Sequence, residues 1–145
     1  MEINTKYHGV LDVEDSKIVH FEQGIPGFLD EKDFILLPID NDSPFSILQS
    51  VQTSELGFVV TEPFIFFKDY EFDLGEHDKE VLGIADDQAS ILVLAILSLK
   101  DPFVETTANL QAPIVINQTS KKAKQVILVD ESYTTKHKIL KEVTK

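Results

Sequence analysis

The apolar residues of this chain come in short runs, and turn chemistry separates each run from the next. Apolar runs of about four to eight residues bounded by Gly, Pro, Asn, Asp and Ser have the length of strands. Lys17 to Phe21 reads as a strand, ended by Gly24-Ile25-Pro26-Gly27, whose glycines permit positive φ while Pro26 fixes one torsion. Phe34 to Ile39 reads as a buried strand, with Pro38 placing its end at an edge or bulge. Asp40-Asn41-Asp42-Ser43-Pro44 is a turn by composition. Phe45 to Gln52 and Gly57 to Thr61 are the next strands, paired through Thr53-Ser54-Glu55.

The second half continues in the same manner. Ile91 to Leu99 has no polar alternation and reads as a central strand covered on both faces, with a buried helix as the alternative. Asp101-Pro102 breaks it. In the stretch from Leu110 to Asn117, Leu110, Ala112, Ile114 and Ile116 alternate with Gln111, Pro113, Val115 and Asn117. That period of two predicts a strand with one apolar face, and Pro113 predicts an edge or bulge. Thr119 to Lys122 turns the chain and Gln125 to Val129 returns. One helix is expected over Asp73 to Ile84, with Glu76 and Asp78 near its start, Val81 and Leu82 toward the core and Gly83 at its end. Tyr133 to Leu140 adds a last strand or short helix. The expected fold is mainly β: a small barrel-like antiparallel or mixed sheet with one or two short helices, closed or partly closed to limit free edges. At 145 residues the chain fits one domain, 1–145, able to bury roughly 70% of its unfolded surface.

The residue types exclude most chemistry. With no cysteine there is no disulfide framework, thiolate nucleophile or zinc-thiolate site. His8, His20, His77 and His137 form no metal-binding pair at helical spacing. Glu76-His77-Asp78 sets three potential ligands side by side, but adjacent helical residues point in different directions. Asp40-x-Asp42 begins like a calcium loop and then fails, with Pro44, Phe45 and Val51 where ligand, glycine and bidentate acid belong. There is no phosphate loop, dinucleotide fingerprint or nucleophile elbow. No catalytic residue, cofactor or metal is expected. The longest apolar run, Ile91 to Leu97, is far short of the ~20 residues that span a bilayer. The start, Met1-Glu2-Ile3-Asn4, lacks a basic region followed by an apolar run, so a cytoplasmic location is expected.

Charge narrows the partner. The formal net charge is −12, and all basic residues are lysines. Residues 1–120 carry six lysines against 22 acids, a balance of −16, whereas residues 121–145 carry seven lysines and three acids, a balance of +4. Without arginine, the usual bidentate phosphate ligand, an acidic body will not bind nucleic acid or an anionic membrane directly. It either serves solubility or meets a basic partner.

Three stretches in order carry a resemblance: Phe21-Glu22-Gln23-Gly24-Ile25-Pro26-Gly27-Phe28, Pro63-Phe64-Ile65-Phe66-Phe67-Lys68-Asp69-Tyr70-Glu71-Phe72-Asp73-Leu74, and Thr107-Ala108-Asn109-Leu110-Gln111-Ala112-Pro113-Ile114-Val115-Ile116-Asn117 followed by Ala123 to Leu128. Together they resemble the flagellar assembly factor FliW family, from about Tyr7 to Leu140. The resemblance implies a barrel-like β fold and a cytoplasmic protein without catalysis. It implies two mutually exclusive partners, flagellin and the RNA-binding translational repressor CsrA. Flagellin occupies the protein while abundant; once exported, it leaves the protein free to sequester CsrA and relieve repression of flagellin translation.

Two groups of residues are candidates for partner contact. Phe64, Phe67, Tyr70 and Phe72, with the acids Glu71 and Asp73, are either a core strand with one exposed flank or an apolar docking surface. Asn109, Gln111 and Asn117 either satisfy backbone groups inside the hairpin or reach a partner. An enzyme on a β scaffold would need a deep polar pocket at His20 or His8. A small-molecule or carbohydrate-binding β module is the other alternative; such modules often present exposed tryptophan, and this chain has none.

Overall fold

The computed structural model describes residues 1–39, 42–84, 90–130 and 132–139. Its elements in order are β1 (Glu2–Asn4), β2 (Val10–Asp12), β3 (Ile18–Phe21), β4 (Asp33–Pro38), β5 (Phe45–Ser50), β6 (Gly57–Thr61), α1 (Glu76–Leu82), β7 (Ile91–Ser98), β8 (Thr107–Ala108), β9 (Ile114–Asn117), β10 (Lys122–Gln125) and β11 (His137–Lys138). Seven strands close a mixed barrel in the order β7-β6-β5-β4-β3-β10-β9, and β9 pairs back onto β7. Every neighbour is antiparallel except β3 and β10, which are parallel. Closure leaves the barrel strands without a free sheet edge. β8 and β11 extend the sheet beyond the end of β7, and β1–β2 form a separate hairpin.

Side chains alternate across the barrel wall and build two cores. Val19, Phe21, Phe34, Leu48, Val60, Leu94, Ile114, Ile116 and Ala123 fill the interior. The rings of Phe21 and Phe34 are fully buried and meet edge to face at 5.3 Å. Burying each contributes roughly 1.5–3 kcal/mol. The alternate residues, including Ala95, Leu97 and Val115, face outward into a second core made with Tyr70, Leu82, Leu110, Val126, Leu128 and Ile139. Ile35 faces outward elsewhere, under Ile3 and Val13 of the β1–β2 region. Double coverage explains the unbroken apolar run of β7: both faces are packed, as expected for a central strand.

Several expectations are corrected. The alternation from Leu110 to Asn117 does not mark one apolar face. Only Ile114–Asn117 is strand, and all four residues are buried, because Ile114 and Ile116 enter the barrel while Val115 enters the outer core. Pro113 lies just before the strand, where its carbonyl accepts the Val126 N–H at 2.9 Å. The helix is shorter than Asp73 to Ile84. Gly75 is extended, Leu74 packs into the outer core, and Gly83 at φ 70° ends the helix with its N–H on the Glu80 carbonyl. The Phe64–Phe72 stretch is not a strand: a 3-10 turn at Pro63–Ile65 leads into irregular backbone. The return strand begins at Lys122 rather than Gln125. The expected final element is the two-residue β11, and Leu140 lies outside the described residues, as do Asp40 and Asn41 of the expected turn.

Candidate protein-binding site

The aromatic stretch is a cover laid over the outer face of the barrel. Pro63 pre-sets the first torsion of its 3-10 turn, and its carbonyl accepts the N–H groups of Phe66 at 3.1 Å and Phe67 at 2.8 Å. Phe66 then stacks on Phe45 of β5 at 5.9 Å. Tyr70 is the anchor, 4% exposed, its hydroxyl donating to the Leu110 carbonyl at 2.7 Å. Its ring meets Phe64, Phe72 and Tyr133. Burial, then the neighbouring Tyr133, push the Tyr70 phenol well above the usual tyrosine range, so it remains a hydrogen-bond donor. Phe67 and Tyr133 both contact His137, whose pKa burial lowers; its Nε2 accepts the Thr134 N–H at 2.8 Å.

Beside this cover lie two concavities. The larger, about 770 Å³, runs between Glu71–Asp73 on one side and the segment from Val126 to Asp130 on the other, with Asp78 and Tyr133 at its walls. The smaller, about 250 Å³, is apolar and lies among Phe64, Tyr70, Leu74, Ile91 and Val115. Glu71 and Phe72 line both. The larger groove presents Glu71, Asp73, Asp78 and Asp130 and no lysine on its lining. Asp78 pairs with Lys124 of β10; among the described residues no ion pair joins the other three.

The sequence candidates therefore divide. Phe64 is 45% exposed, Glu71 and Asp73 are exposed, and Phe67 and Phe72 are half-buried. Tyr70 is interior and shapes the site from beneath. The three amides lie outside both concavities. Asn117 is buried, its Nδ2 donating to the Leu82 carbonyl at 2.9 Å and its Oδ1 accepting the Thr119 and Ser120 N–H groups. Asn109 Oδ1 accepts the N–H groups of Gln111 and Ala112, an Asx turn leading toward β9. Sequence reasoning missed the Val126–Asp130 wall. The stretch reads only as the chain returning over Gln125 to Val129, yet Ile127 is 60% exposed and Val129 97%.

The histidines lie at or near the surface, whereas Gln49, Ser50 and Glu31 form a buried polar cluster at the end of β5. His20 Nδ1 and Asp33 Oδ1 are 2.7 Å apart with both side chains about half exposed, on adjacent strands. His8 Nε2 bonds the Pro38 carbonyl at 3.1 Å. His77 is exposed, and its neighbour Asp78 is engaged by Lys124. No helix among the described residues is long and apolar enough to cross a membrane.

A closed barrel with an aromatic cover, an acidic groove and an adjoining apolar pocket presents a candidate protein-binding surface. The family model of the FliW protein matches residues 2–139. The flagellar assembly factor FliW of Bacillus subtilis (strain 168) is 53% identical over 139 residues, covering 96% of each chain. That of Geobacillus thermodenitrificans (strain NG80-2) is 54% identical over 142 residues, covering 98% of this chain and 97% of the other. A crystal structure of the flagellar assembly factor FliW superimposes with a TM-score of 0.90 at 50% identity, covering 97% of this chain and 98% of that one. The chain belongs to the FliW family, a family of non-catalytic flagellar assembly factors.

Proposed function

We propose that this chain acts as a single cytoplasmic domain that binds flagellin and CsrA in turn, and that its release from flagellin relieves CsrA repression of flagellin translation. The observation that carries the reading is the wall of Glu71 and Phe72 shared by the acidic groove and the apolar pocket. Two partners of opposite chemistry can each use that wall, and neither can use it while the other is bound. The groove and the acidic body attract a basic RNA-binding protein and repel RNA phosphates from the resulting complex. The pocket, with Phe64 at its rim, suits an apolar side chain from a helical flagellin terminus. The small-molecule alternative fares worse, because a pocket of about 250 Å³ lies below the ~300–1,000 Å³ of ordinary ligand sites and the larger space is acidic and open.

Association with CsrA is expected to be electrostatically steered. Screening acts over roughly 8 Å at physiological salt, so the on-rate should fall about tenfold or more between low and high salt. Changing Glu71, Asp73 and Asp130 to their amides should slow association several-fold and change dissociation less. Stopped-flow rates that are indifferent to salt would remove the acidic surface from the account.

A further inference from the structure

We propose that the segment from Ile127 to Val129 is an open strand edge that captures an extended, lysine- or arginine-bearing segment of a partner protein by strand addition. The inference concerns a mode of recognition and does not rest on the flagellin–CsrA reading.

The backbone of this segment is paired on one side only. The Val126 N–H donates to the Pro113 carbonyl at 2.9 Å and the Leu128 N–H to the Gln111 carbonyl at 2.8 Å. Backbone groups of successive residues in an extended chain point to opposite sides, so those of Ile127 and Val129 face away from 111–113. Among the described residues, neither N–H donates to a backbone carbonyl. Side chains follow the same alternation across the faces: Val126 and Leu128 are buried in the outer core, while Ile127 and Val129 are exposed. Two exposed aliphatic residues on an unpaired edge are an arrangement that proteins usually blunt with charge or cover. Here the edge lines the acidic groove.

Size and charge select the occupant. An extended residue fills about 160 Å³, from a rise of ~3.3 Å, a strand spacing of ~4.8 Å and a sheet spacing of ~10 Å. A groove of about 770 Å³ therefore holds roughly five residues. A helix laid there would desolvate the Ile127 and Val129 N–H groups without pairing them, whereas a strand satisfies both. Glu71, Asp73 and Asp130 supply the complementary charge for lysine or arginine side chains projecting from that strand.

The test uses the full isotope-labelled chain and a short capped peptide alternating lysine and valine. Companion peptides carry glutamate for lysine, or N-methyl groups on one or the other alternate set of amides. The lysine peptide is expected to bind with its amide shifts centred on Ile127 and Val129. Methylating one set should abolish binding and methylating the other should not, and the glutamate peptide should not bind. Val129→Pro removes one unpaired donor and should weaken the peptide about three- to tenfold, the effect of one hydrogen bond. Equal binding by both methylated peptides, equal binding by the glutamate peptide, or shifts centred elsewhere would each overturn the proposal, whether or not Val129→Pro folds.

Discussion

Gly24→Ala is expected to remove about 3–5 kcal/mol of stability, a large share of the ~5–15 kcal/mol that holds a domain together. Two costs combine. Gly24 sits at φ +69°, where a Cβ costs roughly 1–2 kcal/mol. An added Cβ would also lie 2.4 Å from the Leu29 carbonyl oxygen and 2.7 Å from its Cα, backbone atoms that no rotamer change can move. Relief requires shifting a turn held by the Gly24 N–H on the Phe21 carbonyl and the Phe28 N–H on the Ile25 carbonyl. That turn seats Ile25, 2% exposed, in the barrel core, so strain there adds an overpacking cost of about 1–3 kcal/mol. Gly27 is the control: it is also left-handed, at φ +89°, but nothing lies within 4 Å of its would-be Cβ. Gly27→Ala should cost only about 1–2 kcal/mol. Urea unfolding of both variants decides it, and equal losses would show that the close approach at Leu29 plays no part.

Asn117→Ala is expected to cost about 2–4 kcal/mol, because one buried amide closes three hydrogen bonds worth roughly 1 kcal/mol each and its loss strands their partners. The Nδ2 bond ties the last carbonyl of α1 to β9, and the Oδ1 bonds shape the β9–β10 turn. Helix α1 would then depend more heavily on the Asp78–Lys124 pair. Phe64→Ala should behave in the opposite way. That ring is nearly half exposed at the pocket rim, so stability should change little and flagellin affinity should fall. Thermal unfolding and binding measured on the same samples separate the two; a stable Asn117→Ala with weakened partner binding would return that amide to the contact surface.

The barrel was legible because its strands obey local rules. Lys17 to Phe21, Phe34 to Ile39, Phe45 to Gln52 and Gly57 to Thr61 are each bounded by turn residues, and their observed ends coincide or differ by at most two positions. Elsewhere tertiary context overrode pattern. The period of two in β9 reflected two cores rather than one core and solvent, and nothing in Ile114–Asn117 itself distinguishes these. The β1–β2 hairpin is too short and polar to stand out; Ile3, Leu11 and Val13 gain meaning only against Ile35 and Leu37. The aromatic stretch has the composition of a strand or a docking surface, but it is irregular backbone whose rings cap the barrel from outside. The acids at 71 and 73 were visible, but their groove was not, because its opposite wall comes from Val126 to Asp130 across the fold. Contact between residues about fifty positions apart leaves no local signature.

The most direct test of the partner switch mixes the purified chain with saturating CsrA and then adds flagellin, with complex masses read by light scattering after size exclusion. The shared wall at Glu71 and Phe72 predicts that flagellin displaces CsrA in proportion to its occupancy, with only the two binary complexes present at every ratio. A stable ternary complex of all three proteins at saturating concentrations would contradict it.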